Sequence, residues 1–242
     1  MVSKNQIKLI KGLQQKKYRK QHQLFFAEGI KVVQELLTSD FELYHLFTTE
    51  AVFGTFAQDK QTLITETELK KISALTTPNA CLAVFAMPAP QPAPNKGLVV
   101  ALDNVRDPGN LGTIIRLCDW FGIEAIVCSE ACVDAYNPKT VQATMGSIAR
   151  VKVAYTNLEE YLSGVSLPVY GTFMDGENIY RQQFGQQGVI VLGNEANGIS
   201  PEIQKLVTKK IAIPRFGRLQ VTESLNVATA SAIIFSEFRR AT

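Results

Sequence analysis

Three short segments in the second half of the chain put amide, guanidinium, carboxylate and hydroxyl side chains beside the glycines and prolines that end strands and start helices. In the first, residues 102–122 (LDNVRDPGNLGTIIRLCDWFG), a strand runs into Asn104, the chain turns at Pro108-Gly109-Asn110, and a helix is expected from about residue 111. Asn110 and Arg116 are six residues apart. With Asn110 at the helix N-terminus, the guanidinium lies under two turns further on and can reach back to the same cleft. The plain alternative is a capping Asn and a surface Arg. In the second, residues 188–200 (GVIVLGNEANGIS), an apolar strand ends in Gly193-Asn194-Glu195, and Ser200-Pro201 signals a helix start. Gly193 lets a ligand approach the backbone closely. The spacing of a dinucleotide-binding G-x-G-x-x-G loop is missing. In the third, residues 213–230 (IPRFGRLQVTESLNVATA), Ser224 and Asn226 open the last helix, where free backbone N–H groups favour anionic or carboxylate groups. Capping by Ser224 is the ordinary reading there and is compatible with a ligand contact. Arg215 and Arg218, on the loop before it, either meet phosphates or are simply solvated.

The elements that must position these groups alternate along the chain. Residues 98–103, 124–128, 168–172, 189–192 and 210–213 read as short apolar strands, and 113–121, 138–148, 158–162 and 201–207 as helices between them. A last helix is expected over 224–239, with Val227, Ala230, Ile234 and Phe238 on one face. Buried strands alternating with helices predict an α/β fold whose mostly parallel sheet is covered on both sides. Ligands of such sheets bind beyond the carboxyl ends of the strands, and all three segments fall there. Earlier in the chain, 30–38 and 66–73 read as helices, and 44–48, 62–65 and 81–85 as strands. Between the halves lies MPAPQPAPNKG, residues 87–97, whose alternating prolines favour an extended linker. The expected division is an N-terminal domain at 1–90, a Pro-rich linker at 91–96 and a larger domain at 97–242, both domains within the usual size range.

Bulk properties narrow the function classes. A 46% hydrophobic and 19% charged composition is that of a globular protein with a real core. No run approaches the roughly 20 apolar residues of a membrane span, and the first 20 residues are polar and lysine-rich, unlike a secretion signal. A cytoplasmic protein is the expectation. The net charge of +3 is small, but Lys4, Lys8, Lys11, Lys16, Lys17, Arg19 and Lys20 all precede the first acidic residue, Glu28. Such a segment either neutralises phosphates by counterion release or is a solvated, helix-forming tail. Cys81, Cys118, Cys128 and Cys132, with His22 and His45, show no metal-ligand spacing, so no metal is expected and the thiols are read as reduced and mostly buried.

Taken in order, NLGTIIR, LGNEANGIS and IP…SLNVATA resemble the three motifs of the SpoU (TrmH-like) family of SPOUT methyltransferases, and the resemblance covers residues 97–242. LFFAEGIKVVQELL (24–37) and TTPNACLAVF (76–85) resemble the small α/β substrate-binding domain of several such enzymes, which is similar to ribosomal proteins that bind folded RNA. The resemblance implies a C-terminal domain with a deep trefoil knot, S-adenosylmethionine (AdoMet) bound within it, a homodimer, and methylation of a ribose 2′-hydroxyl of structured RNA. Ribosomal RNA fits the attached domain better than transfer RNA. It further implies Arg116 beside the reacting hydroxyl, with Asn110, Glu195, Ser224 and Asn226 around it, and AdoMet against Thr172, Leu192, Gly193, Ile213, Ser224 and Leu225. RNA contacts are expected from Lys16, Lys17, Arg19, Lys20, Arg215 and Arg218. One departure is visible: Arg215 stands where the third motif usually has Met, and the 216–223 loop is longer than in the family. A tRNA 2′-O-methyltransferase and a non-catalytic RNA-binding protein of the same fold are the alternatives. A base methyltransferase and a doubly wound nucleotide-binding enzyme fit the motifs less well.

Overall fold

The computed structural model describes residues 1–54, 58–219 and 224–240. Its contacts group into two compact units, Met1–Ala89 with Asp134–Ala149, and Pro90–Val133 with Arg150–Thr242. The change of unit at residues 89–90 lies within the proline-rich stretch, but the units are not two continuous lengths of chain, because 134–149 packs with the first.

The first unit opens with α1 (Lys4–Gly12) and α2 (Lys16–His22), followed by β1 (Leu24–Glu28), α3 (Ile30–Leu37), β2 (Leu43–Thr48), β3 (Gln61–Leu63), α4 (Glu66–Ile72) and β4 (Cys81–Ala86). Its sheet runs β1-β4-β2-β3, with β4 antiparallel to both neighbours and β3 parallel to β2. Two of its helix starts, those of α1 and α4, have a local cause. Ser3 and Thr65 each form a reciprocal capping box, with Gln6 and Glu68 three residues on. Apolar residues of α1, α4 and the sheet, among them Ile10, Leu13, Phe26, Phe47, Leu69 and Ile72, close one core.

The basic N-terminal run does not present a uniform face. Lys16, Lys17 and Lys20 are exposed, whereas Arg19 is only 1% exposed. Its Nη1 donates to the carbonyls of Leu13 (2.8 Å) and Gln14 (3.0 Å), and Nε and Nη2 donate to Asp134 at 3.0 and 2.6 Å. The expected phosphate contact of Arg19 is therefore replaced by a structural one. Four of the five N–H groups of its guanidinium are used inside the unit.

The second unit contains β5 (Leu98–Leu102), α5 (Pro108–Trp120) and β6 (Ala125–Ser129). The chain then crosses to the first unit for α6 (Pro138–Thr144) and returns for β7 (Lys152–Thr156), α7 (Leu158–Gly164), β8 (Val169–Asn178), β9 (Gly188–Leu192), α8 (Pro201–Gln204), β10 (Lys209–Ala212) and α9 (Val227–Arg239). Its six strands are ordered β10-β8-β9-β5-β6-β7 and every pairing is parallel. The central strands β5 and β9 are buried along their whole length, as expected of a sheet covered on both faces. On one side Val99, Ala101, Val189 and Val191 meet Leu158, Leu162, Ile199 and Ile203. α5 and α9 pack against each other. No helix among the described residues is long and apolar enough to cross a membrane.

Two helix starts differ from expectation. α5 begins at Pro108, because Asp107 accepts the Asn110 N–H at 2.8 Å and Pro108 is preset for the first helical position. Asn110 is thus the third residue of the helix and not its cap. α9 begins at Val227, with Asn226 as the cap: its Oδ1 accepts the N–H groups of Ala228 (2.9 Å) and Thr229 (3.2 Å). Ser224 and Leu225 lie outside the helix, and Ser224 does not cap it.

Candidate active site

The carboxyl ends of β5 and β9 set the site. Asp103, buried just past β5, accepts the Ser200 N–H at 2.7 Å and so fixes where the segment after β9 turns into α8. Asn104 follows in a left-handed conformation (φ 61°), which Asn tolerates better than most residues. Its carbonyl accepts the Asn194 side-chain amide at 2.8 Å. Asn194 also closes its own loop. Its Oδ1 accepts the N–H groups of Ala196 (2.9 Å) and Asn197 (3.2 Å), and its backbone pairs with Gly198 in both directions. Glu195, at the tip of this clamped turn, can take few positions. Asp103, Asn104 and Asn194 are the functional supports that sequence reasoning missed. Their signal was present, since short polar side chains at strand ends are the residues that build such turns.

Three residues from three distant segments meet at Glu195. Asn226 Nδ2 donates to Asn110 Oδ1 at 2.9 Å, and Asn110 Nδ2 donates to Glu195 Oε1 at 2.8 Å. The direction of this relay is imposed by the fold. Asn226 Oδ1 is engaged as the α9 cap, so only its amide N–H groups can face Asn110; Asn110 must then accept there and donate onward. The relay ends on an acceptor, the Glu195 carboxylate.

Beside it opens a cavity of about 1310 Å³. One wall comes from β8, where residues 172–176 swell out of register opposite a single step of β10: Lys210 pairs with Gly171 and Ile211 with Glu177. Thr172 is pinned there by donating to the Val191 carbonyl at 3.1 Å. The remaining walls are the end of β9, the segment after β10, and the residues leading into α9. Thr172, Leu192, Gly193, Ile213, Ser224 and Leu225 all line this cavity, together with Glu195, Arg215 and Arg218. Residues 220–223 of the atypical loop fall outside the described residues; Arg215 to Leu219 are exposed at the cavity. The cavity is large enough for a small-molecule ligand and has the mixed apolar and polar lining of such a site. Gly193 leaves no room for anything larger, since an added Cβ would stand 2.2 Å from the Gly198 carbonyl carbon and 2.3 Å from the Ile199 nitrogen. These features fit AdoMet, whose flat purine and amino-acid arm call for both apolar and polar lining.

Arg116 is placed differently. It is exposed on α5, outside the cavity wall, and makes no hydrogen bond or ion pair among the described residues. Its guanidinium is open to a partner from solution. Among the described residues no cluster of His, Cys, Asp and Glu could hold a metal ion, and all four cysteines are buried free thiols.

Known proteins share the sequence and fold of this chain. The Bacillus subtilis protein named 23S rRNA (guanosine(2553)-2′-O)-methyltransferase RlmP is 30% identical, over 98% of this chain and 97% of its own length. A TrmH-family structure from Porphyromonas gingivalis superposes with a TM-score of 0.91 at 39% identity, covering 100% of both chains. An AdoMet-bound rRNA methyltransferase from Sinorhizobium meliloti gives a TM-score of 0.87 at 28% identity, over 100% of this chain and 97% of that one. Residues 4–83 match the MRM3-like substrate binding domain. With residues 97–236 matching the model of the SpoU rRNA methylase family, the chain belongs to that family of AdoMet-dependent methyltransferases.

Proposed function

We propose that this protein methylates a ribose 2′-hydroxyl of ribosomal RNA in the cytoplasm, as a homodimer. The observation that carries the reading is the Asn226–Asn110–Glu195 relay at the edge of the cavity, which joins all three motif segments into one site. The preference for ribosomal over transfer RNA rests on the first unit. The relative named for 23S rRNA aligns along 98% of the chain. The Aquifex aeolicus tRNA (guanosine(18)-2′-O)-methyltransferase aligns with only 60% of it. Offering labelled AdoMet with a 23S rRNA transcript and with bulk tRNA tests this: label in tRNA alone contradicts the ribosomal assignment.

When bound, AdoMet supplies the methyl group from its sulfonium. The chain must hold the ribose oxygen in line with that carbon and exclude competing water, an alignment that accounts for much of the rate. Thr172, Leu192, Gly193, Ile213, Ser224 and Leu225 would hold AdoMet. Glu195 and Asn226 fix the Asn110 amide, and Ser224 borders the same space. Arg116 does not take the hydroxyl proton, because a guanidinium stays protonated throughout the accessible pH range. Its role is to bind an RNA phosphate and stabilise the negative charge that develops on the ribose oxygen, while that phosphate takes the proton. Lys16, Lys17, Lys20, Arg215 and Arg218 remain the candidates for the other phosphate contacts, all of them exposed.

Two variants separate these roles. Arg116→Lys is expected to lower turnover at least about tenfold through loss of the planar fork. Its melting temperature and AdoMet affinity should stay at wild-type values, since Arg116 makes no hydrogen bond or ion pair among the described residues. Near-wild-type turnover would remove any specific guanidinium requirement. Gly193→Ala must push the 194–198 loop aside, because the atoms met by the new Cβ belong to backbone. Overpacking of this kind destabilises by about 1–3 kcal/mol, and AdoMet affinity by calorimetry should fall about tenfold or more. Gly164→Ala, where a Cβ meets nothing within 4 Å, is the neutral control.

The homodimer is supported by large apolar side chains left exposed around the cavity: Met174 (52%), Phe216 (82%), Leu219 (84%) and Leu225 (48%). Patches of this kind mark surfaces that another molecule covers. The trefoil knot belongs to the same reading, and its support is the match of residues 97–236 to the family.

A further inference from the structure

The first unit holds a second concavity, of about 430 Å³, that methyl transfer does not use. Its walls come from α1, β2 and the residues leading into β3, and its floor includes the buried Phe47 ring. Tyr44 is 54% exposed at this opening and makes no ring contact among the described aromatic residues. The next ring, His45, is fixed. It tilts over Phe47 with centroids 4.6 Å apart, and its Nε2 is 2.8 Å from Thr62 Oγ1. Burial holds its pKa below the ordinary histidine value.

The polar groups around the opening differ in what they offer. Asn5 brings both an amide donor and an acceptor. Gln6 has its Oε1 engaged by the Ser3 N–H at 2.9 Å, which leaves its amide N–H groups as donors. Asp59 is an acceptor only. The Lys60 ammonium donates to the Leu43 carbonyl at 2.8 Å and lies 3.9 Å from Glu42. Outside, Lys4, Lys8 and Lys11 of α1 are exposed, and the first turn of that helix carries no acidic residue. An apolar slot edged by an open aromatic ring, with mixed donors and acceptors and with cations alongside, matches an unpaired nucleobase and its phosphates. Unpaired bases in RNA are recognised by stacking on aromatic rings and by hydrogen bonds to their edges.

We propose that this pocket takes one unpaired base of the RNA substrate, stacked on Tyr44, with Asn5, Gln6 and Asp59 reading its edge. The proposal rests on the RNA-substrate reading above. It is tested with the full-length protein and a 4-thiouridine-substituted 23S rRNA transcript. Ultraviolet crosslinks are expected in the peptide that contains Tyr44 and His45. Tyr44→Ala should weaken RNA binding about five- to 150-fold, the range found for losing one stacked base. Tyr44→Phe should bind as wild type. For Tyr44→Ala the loss should appear in KM for RNA, with kcat and AdoMet affinity unchanged. Wild-type KM in Tyr44→Ala, with methylation intact and crosslinks elsewhere, would overturn the pocket assignment alone. A wild-type protein that binds AdoMet but no RNA would overturn both the pocket and the function it rests on.

Discussion

Asn110→Ala is expected to lower methyl transfer by about 100-fold, the scale of an ångström-sized misplacement of reacting groups. The reason lies in the one-way relay. Removing the Asn110 amide deprives Glu195 Oε1 of its donor at 2.8 Å and leaves the Asn226 N–H group without its acceptor at 2.9 Å. Neither neighbour can replace the loss. Asn226 is tied down as the α9 cap, and Glu195 sits on a turn closed by Asn194. The fold should tolerate the change, because the α5 start depends on the Asn110 backbone N–H and the Asp107 carboxylate, which remain. Circular dichroism melts and AdoMet calorimetry should therefore stay close to wild type while kcat falls. A variant with wild-type kcat would mean that the relay is not part of the catalytic site. A variant that unfolds would mean that its role is structural.

The second large effect lies far from the chemistry in sequence. Arg19→Ala should destabilise the protein by about 3–5 kcal/mol, because it leaves a carboxylate in a largely buried position without its partner. The Asp134 side chain is only 12% exposed and receives two guanidinium bonds. The carbonyls of Leu13 and Gln14 lose donors in the same substitution. Urea unfolding measures the loss. The double variant Arg19→Met with Asp134→Leu should recover much of it, since replacing both charges by apolar groups of similar volume is often neutral or better. Unchanged stability in Arg19→Ala, with weakened RNA binding, would return Arg19 to the solvent-facing basic stripe.

That residue shows where sequence reading stopped. In a run of basic side chains nothing local marks the one that turns inward, because its partner is 115 residues away. Elements with a strong one-dimensional signal were legible. β4, β5 and β9 are continuous apolar runs because both of their faces are covered. The proline-rich stretch could be read from backbone chemistry alone. β7 was missed because it is a sheet-edge strand whose burial alternates irregularly, and β1 because its LFFAE run ends in an acidic residue just before a helix. The helix starts shifted because Asp107 and Asn226 outcompeted the caps expected nearby. At the site, the motif order pointed to three segments that the structure brings together, and six expected AdoMet contacts line one cavity. At Asp103, Asn104 and Asn194 the residue types signalled turns, but their long-range partners were not legible. Asp103 accepts the Ser200 N–H and the Asn194 amide reaches the Asn104 carbonyl, relations without sequence periodicity.

The central claim is the position of the transferred methyl group. The direct measurement is mass spectrometry of nucleosides from a 23S rRNA transcript after incubation with the protein and isotopically labelled AdoMet. One labelled nucleoside is expected, with the methyl on the ribose and retained on the sugar when the base is cleaved off. Label that departs with the base, or no transfer although both AdoMet and RNA bind, would contradict that claim.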